Sequence, residues 1–396
     1  MMYTPLYFLA ALGAGGLTVS FFLMLMFWVP HPGQAIPVFS DWVMAFQTGS
    51  ALMQAMIVIA LSGVLFFVWQ HVRLLILNFR MVRAFQQSEA YADFASGPLQ
   101  TQELAMPLTL AMSINVGFVV GALFVPGLWS VVEYLFPLAM LGFLLIGIWA
   151  LRLYARLFDH VSKGAFDLAG TASFAQVLPA FAFAMVSVGL AAPAAMSHVP
   201  WVVGVSLVLS TFFALAAILI AVLKSAMGIS QMLSKGIDEN ALPTLWIWVP
   251  ILTVLAITMM RQDHGITHTL ALAPAGDWLM PLVTVVSAQI MVLMLGAVAM
   301  RNHDYLPRVW RGEVVNGSVF ALICPGVALS VSLQFLINKG FVASGLVVKF
   351  GLGYWLLSSI ALLVMLTTIL VFFRLIRGLM RQRASLFSHG YALETR

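Results

Sequence analysis

Apolar residues fill this chain in long blocks, and the polar positions between the blocks follow a two-step rhythm. Ten blocks reach the roughly 20 residues that a helix needs to cross a hydrocarbon core about 30 Å thick. They fall at about 5–29, 42–77, 105–125, 129–157, 173–196, 200–226, 243–262, 277–302, 316–338 and 347–378. Basic residues gather after every second block: Arg73, Arg80 and Arg83 follow the second, and Arg152, Arg156 and Lys163 the fourth. Lys224 and Lys235 follow the sixth, Arg301, Arg308 and Arg311 the eighth, and Arg374, Arg377, Arg381, Arg383 and Arg396 the tenth. Arg261, Lys339 and Lys349 fall in the alternate gaps, which divides the 19 basic residues 16 to 3. Such a bias is the positive-inside signature of a polytopic membrane protein. It predicts cytoplasmic termini, with odd helices running outward and even helices returning.

The expected fold is an all-α integral membrane protein of about ten transmembrane helices, arranged as five helical hairpins around a central pore in a single transmembrane domain, 1–396. The hairpins cover approximately 1–78, 105–157, 173–226, 243–302 and 316–378. A cytoplasmic loop at 79–104 and a cytoplasmic tail at 379–396 complete the chain. The odd helices share a signature, since each carries proline near its cytoplasmic end: Pro5, Pro107, Pro179, Pro243 and Pro325, with Pro250 further along the seventh. A proline inside a span leaves a carbonyl unpaired, which is tolerated where the helix is buried or lines a cavity. Pro250 and Pro325 are read as the deepest. The same helices are rich in small and hydroxyl residues, among them Gly13, Gly15, Gly16, Ser113, Asn115, Ser187, Thr253 and Ser330. Small residues also serve plain helix packing. Their recurrence with proline in every odd helix favours a pore, lined or shaped by Pro107, Ser113, Asn115, Pro179, Ser187, Pro250, Thr253, Cys324, Pro325 and Ser330.

Composition sharpens this picture. The chain is 62% apolar and 8% charged, with a mean hydropathy of +1.02, whereas soluble domains carry about 25% charged residues. The net charge of +5 sits at helix ends, where it meets anionic lipid, so no nucleic-acid partner is implied. Cys324 is the one cysteine, leaving no disulfide and no cysteine pair for a metal. The first block is too long for a signal-peptide core and is expected to remain as a helix.

Candidate chemistry is sparse. Glu133, near the outer end of the fourth helix, is the acidic residue closest to a span centre, and no basic residue is read as deep. A path made of backbone N–H groups, helix dipoles, hydroxyls and amides favours anions without trapping them. His71 is the one histidine read inside a helix, and a bis-histidine haem needs two at similar depth. His264 and His268 are spaced for a metal on a helix but are read as solvated loop residues. No cofactor, metal site or enzymatic motif is expected. A haem- or quinone-associated redox subunit and a proton-coupled organic-acid exporter remain as alternatives.

Ser173-Phe174 with Leu178-Pro179-Ala180, Trp248-Val249-Pro250 followed by Asp263-His264-Gly265, and Asn316 through Gly340 resemble the tellurite-resistance/C4-dicarboxylate transporter family, which contains TehA-like and plant slow-type anion channels. The resemblance extends over almost the whole chain at the level of topology. It implies a homotrimer in the bacterial inner membrane, each protomer enclosing an anion pore between five inner and five outer helices. It also implies occlusion by a phenylalanine on the ninth helix. The matching segment here has Leu322 and Cys324, with Phe320 a turn earlier. Phe320 is therefore the candidate gate, with Phe183 and Trp248 as aromatics on other odd helices. Small anions and membrane lipid are the expected partners.

Overall fold

The computed structural model describes residues 3–162, 174–237, 239–314 and 316–390. Lys163, Ser173 and the end of the tail with Arg396 lie outside the described residues. The described chain is helical, and among the described residues ten helices are long and apolar enough to span a membrane. Their α-helical parts are α1 (Phe8–Trp28), α2 (Ala51–Gln86), α3 (Ala105–Phe124), α4 (Val132–Ser162) and α5 (Leu178–Leu190), then α6 (Pro200–Lys235), α7 (Trp248–His264), α8 (Leu279–Asn302), α9 (Ile323–Phe335) and α10 (Leu352–Gly390); 3-10 or π turns and a short helix extend the inner ones to spans such as Leu178–Met196 and Gly317–Val342.

Burial alternates along this series. The odd-numbered spans are 94, 50, 89, 56 and 72% buried and the even-numbered ones 33, 28, 28, 22 and 28%, which separates an inner from an outer set. Each inner helix packs against the next, α1 on α3, α3 on α5, α5 on α7 and α7 on α9, and α9 closes back on α1. The outer helices lean against this ring and turn leucine, valine and phenylalanine outward, as Leu145, Leu219, Leu295 and Leu363 do.

Each inner helix is entered through a 3-10 segment: Pro5–Tyr7, Pro98–Leu104, Phe174–Val177, Glu239–Trp246 and Gly317–Leu322. These five segments also touch one another in a closed circle, so one end of the bundle, the 3-10 end, carries a collar of tight backbone. The circle changes the meaning of the prolines. Pro107, Pro250 and Pro325 are each the third residue of their α-helix, and Pro179 is the second. There 3-10 backbone passes into α-helix without a break, the first α residues Ala105 and Ile323 donating to the Gln102 and Phe320 carbonyls of the 3-10 segments, so proline, which has no N–H, sits at the joint between the two geometries. Within the whole spans, Ala241–Thr269 and Gly317–Val342, Pro250 and Pro325 are interior residues, and each marks the change from 3-10 to α backbone.

At the opposite, far end the inner helices loosen. α7 continues into a π-helical turn at Gly265–Thr269 and α9 into another at Leu336–Val342. α5 breaks at Ala191 before a short helix, Ala192–Met196. Pro193 has no N–H for the carbonyl a turn earlier. Ser206 of α6 stitches the break, donating from Oγ to the Leu190 carbonyl at 2.6 Å and accepting from the Ala194 N–H at 3.0 Å.

Two element boundaries differ from the sequence reading. The block read from 42 to 77 is divided, because a short helix at Phe39–Thr48 ends at Gly49 and Ser50 then caps α2 through the Met53 N–H at 3.3 Å. Trp42 of the short helix donates from Nε1 to the Leu123 carbonyl at 2.9 Å. The segment read as a loop at 79–104 is mostly helical: α2 runs to Gln86, a helix spans Ala90–Ser96, and the 3-10 segment follows. Phe85, Tyr91 and Phe94 pack their rings together, with Phe85 at 5.6 Å from Tyr91 and 5.3 Å from Phe94, and give the segment its own small core.

Glycine sets how closely inner and outer helices meet. A Cβ on Gly189 of α5 would lie 2.1 Å from the Phe143 ring of α4, whereas a Cβ on Gly117 of α3 would meet nothing within 4 Å. Gly189→Ala is therefore expected to destabilise the protein by about 1–3 kcal/mol through overpacking, with Gly117→Ala close to neutral. Thermal unfolding of both variants in detergent, compared with the unsubstituted protein, checks this.

Candidate functional site

Inside the inner ring lies a cavity of about 630 Å³ whose rim is built by His31, Gln34, Gly276 and Lys349 from the far-end loops. Toward the 3-10 end it stops at Phe181, Pro250 and Cys324. A second cavity of about 30 Å³, bounded by Leu9, Trp246, Ser318 and Pro325 among others, begins on the other side of the same three residues. Phe181, Pro250 and Cys324 thus form a neck between two cavities. They are the fourth, third and second residues of α5, α7 and α9. The 3-10 collar therefore sets the height of the neck, because all three residues sit within a turn of the point where 3-10 backbone becomes α.

The larger cavity is cationic near its mouth. Arg261, Lys339 and Lys349 all line it, and these are the same three basic residues that stand apart from the other 16 along the chain. Arg261 lies eleven residues beyond Pro250 on α7, roughly 16 Å along the helix axis. Its guanidinium donates to the Val188 carbonyl at 2.7 Å, in the last turn of α5. Lys339 belongs to the π turn after α9. Among the described residues, none of the three is in an ion pair with a carboxylate. Asp263 also lines the cavity, but its Oδ2 accepts from Trp278 Nε1 at 2.9 Å. Lys349 lies outside the spans; partial burial holds its ammonium below the ordinary lysine range, and the charge on Lys339 lowers it further. Lys349 Nζ lies 5.2 Å from the centre of the Phe350 ring.

The structure distributes the sequence-predicted site residues unevenly. Asn115, Pro250, Thr253 and Cys324 line the large cavity, and Pro325 lines the small one. Pro107 and Pro179 line neither and act as helix starts. Three serines read as pore-facing are turned to neighbouring helices. Ser113 Oγ lies 2.9 Å from His71 Nε2 of α2, Ser187 donates to the Ser210 carbonyl of α6 at 2.7 Å, and Ser330 donates to the Ala361 carbonyl of α10 at 3.1 Å. A buried hydroxyl needs a partner, and the carbonyls and imidazole of outer helices supply it. Phe320 is corrected as well: it is 1% exposed, lines neither cavity and packs on Tyr7 at 5.8 Å between ring centres. Phe183 packs on Tyr154 and Phe213 of the outer helices. The aromatic at the neck is Phe181.

Several features were missed in the sequence. Phe181 stands two residues from Phe183 in Pro179-Ala180-Phe181-Ala182-Phe183, and apolar neighbours on all sides give no cue to which ring faces inward. Arg261, His264 and His268 were assigned to an outer gap, yet α7 and its π turn carry all three as helix. The two imidazoles lie 4.3 Å apart between ring centres and line the cavity. Among the described residues no group of three metal-binding side chains forms around them. His71 is buried, with Nδ1 2.8 Å from the Ala11 carbonyl. A carbonyl only accepts, so Nδ1 carries a hydrogen, and Nε2 is taken by Ser113. Both nitrogens are engaged in joining α1, α2 and α3, which leaves neither for a haem iron. At mid-span, Gln289 Nε2 of α8 lies 3.0 Å from the Val249 carbonyl, 2.6 Å from Thr253 Oγ1 and 3.0 Å from Ser332 Oγ, and its two N–H hydrogens, shared among these acceptors, tie α7, α8 and α9 together beside the neck.

As the one cysteine and a neck residue, Cys324 reports the geometry directly. A small charged thiosulfonate reagent added to the purified protein is expected to leave the wild-type Cys324 almost unmodified, since the residue is buried at the cavity floor, and to label it in Phe181→Ala. Intact mass measurement reads the outcome, and equal labelling of both proteins would contradict a neck closed by Phe181. In comparison with known proteins, the chain matches no family model and no curated protein.

Proposed function

We propose that the protein is a facilitative anion pathway, channel-like, passing small inorganic or organic anions through the inner ring. The observation that carries the proposal is the placement of Arg261, Lys339 and Lys349. Basic residues on the translocated side work against topology, and this chain keeps three there, all on the wall of one cavity and without a carboxylate partner among the described residues. Three cations against the one carboxylate of Asp263 leave this wall net positive, and in a concave, low-dielectric site that focuses a positive potential and raises the local concentration of anions. The neck then closes the route in the state described, and Phe181 is its most movable part, since a side-chain rotation displaces a phenyl ring while Pro250 is fixed to backbone.

The reading takes the 3-10 end as cytoplasmic, in the inner membrane of a bacterium, and the protein as a homotrimer of the kind that the TehA-like resemblance implies. An inner ring of five helices braced by five outer ones supports it, because the resemblance calls for that arrangement. A redox subunit is less well supported, since His71 has both ring nitrogens engaged. Light scattering of the detergent-solubilised protein tests the trimer.

Ion flux in liposomes tests the function. Reversal potentials recorded in chloride, nitrate and malate gradients are expected to follow an anion gradient and to ignore a pH gradient. Flux that reverses with the pH gradient would favour the proton-coupled exporter, and a coloured, silent preparation the redox subunit. Phe181→Ala is expected to raise anion conductance, and Phe320→Ala to leave it unchanged.

The pH dependence has a definite sign. Because the Lys349 ammonium sits below the ordinary lysine range, its charge is present at neutral pH and is lost as pH rises, before an exposed lysine near 10.4 would titrate. Anion conductance is expected to fall over that alkaline interval. In Lys349→Gln the fall is expected to be shallower and conductance at neutral pH lower, most clearly at low ionic strength, where exposed charge is least screened.

A further inference from the structure

We infer that the large cavity takes an amphiphilic organic anion, a monocarboxylate on an aromatic or branched aliphatic body, with its head group at the Arg261, Lys339 and Lys349 cluster and its body among the phenyl rings below. The inference rests on the anion-pathway reading and adds the class of solute to it.

Size is the first argument. A volume of about 630 Å³ belongs to the range of sites for organic ligands, about 300–1,000 Å³, which are typically apolar with a few convergent polar groups. An inorganic ion alone would leave most of this space unfilled. The wall is the second argument. Between the mouth and the neck the cavity is lined by Phe22, Phe27, Phe118, Phe136, Phe143 and Phe335, drawn from α1, α3, α4 and α9. These rings brace one another: Phe27 meets Phe335 edge-on at 5.4 Å, and Phe118 stacks on Phe136 at 6.2 Å.

The third argument is hydrogen bonding. The polar side chains on this part of the wall are few and largely committed, Asn115 donating one N–H of Nδ2 to the Ala111 carbonyl at 3.1 Å and Thr253 bonding to the Val249 and Ala328 carbonyls and to Ser332. A bare anion passing the rings would give up hydration for few donors, which is costly. A carboxylate that stays at the cationic mouth while its apolar body enters the phenyl-lined space avoids that cost and gains from burial. The rim consists of loop residues, among them His31, Gly276 and Lys349, so the solute arrives from the aqueous far side.

Calorimetric titration of the wild-type protein in lipid nanodiscs, with empty nanodiscs subtracted, tests the inference using acetate, butyrate, benzoate, 2-naphthoate, chloride and benzyl alcohol. Affinity is expected to rise about fourfold for each methylene between acetate and butyrate, to be higher again for benzoate, and to be at least about tenfold lower for benzyl alcohol than for benzoate. The double variant Lys339→Gln, Lys349→Gln is expected to weaken benzoate about tenfold and to leave benzyl alcohol unchanged. Equal affinity for acetate, benzoate and chloride, or benzyl alcohol binding as tightly as benzoate, would overturn the solute class. If liposomes holding the same protein still pass chloride, the anion pathway stands without it. Absence of both carboxylate binding and anion flux would remove the pathway as well.

Discussion

Hydrocarbon offers no partner to a backbone N–H or C=O, and this constraint organises the whole molecule. The outer helices, which face lipid, are long and continuous, with 36, 31, 36, 24 and 39 residues. The α-helical parts of the inner helices are shorter, with 21, 20, 13, 17 and 13 residues. What the inner helices lose in α-helix they make up in 3-10 turns at one end and, in α7 and α9, π turns at the other. Irregular backbone is thus kept where protein surrounds it. The broken end of α5 shows how: Ser206 and Arg261, both from other helices, take up the Leu190 and Val188 carbonyls near the break.

From this division the site follows. A 3-10 helix is narrower than an α-helix, and five of them in a circle bring the inner helices together at one end. π turns are wider, and they occur at the far end, where the cavity opens. The taper from collar to mouth is therefore written in the backbone, and the neck falls where one geometry gives way to the other. The same π turns carry polar side chains onto the cavity wall, with His268 after α7 and Lys339 after α9. π turns inside longer helices are often found at functional sites. Here the reason is local, since an extra residue per turn lets a lysine or histidine lie on a wall that is otherwise apolar.

Much of this was legible in the sequence, and the rest was hidden for definite reasons. Ten spans and an alternation of basic gaps can be read from hydropathy, because length and charge are one-dimensional properties. Proline could be placed in the odd helices but its role could not, since the first α-helical residue is set by where the 3-10 collar ends. A hydropathy block also ends where polar residues accumulate, as they do from Arg261 to His264. His264 and His268 therefore fall outside the seventh block, although α7 and its π turn continue to Thr269. Ser113, Ser187 and Ser330 looked pore-facing by residue type, whereas burial obliged their hydroxyls to find partners on neighbouring helices. Phe181 could not be separated from Phe183 because α5 is apolar on every face.

The three far-end cations are not equivalent, and the difference bears on how the cavity acts. Arg261 is met by a carbonyl in the last turn of α5, where the helix dipole presents partial negative charge. Its charge is partly compensated by the fold, and the same contact fixes its position. Lys339 and Lys349 have no such bond among the described residues, and they are close enough for the charge of one to disfavour that of the other. Two unpaired ammonium groups at one mouth repel each other, and in the proposed pathway an anion would relieve both at once. On that proposal Arg261 fixes where the positive field lies, while the lysine pair supplies the part of it that an anion would neutralise.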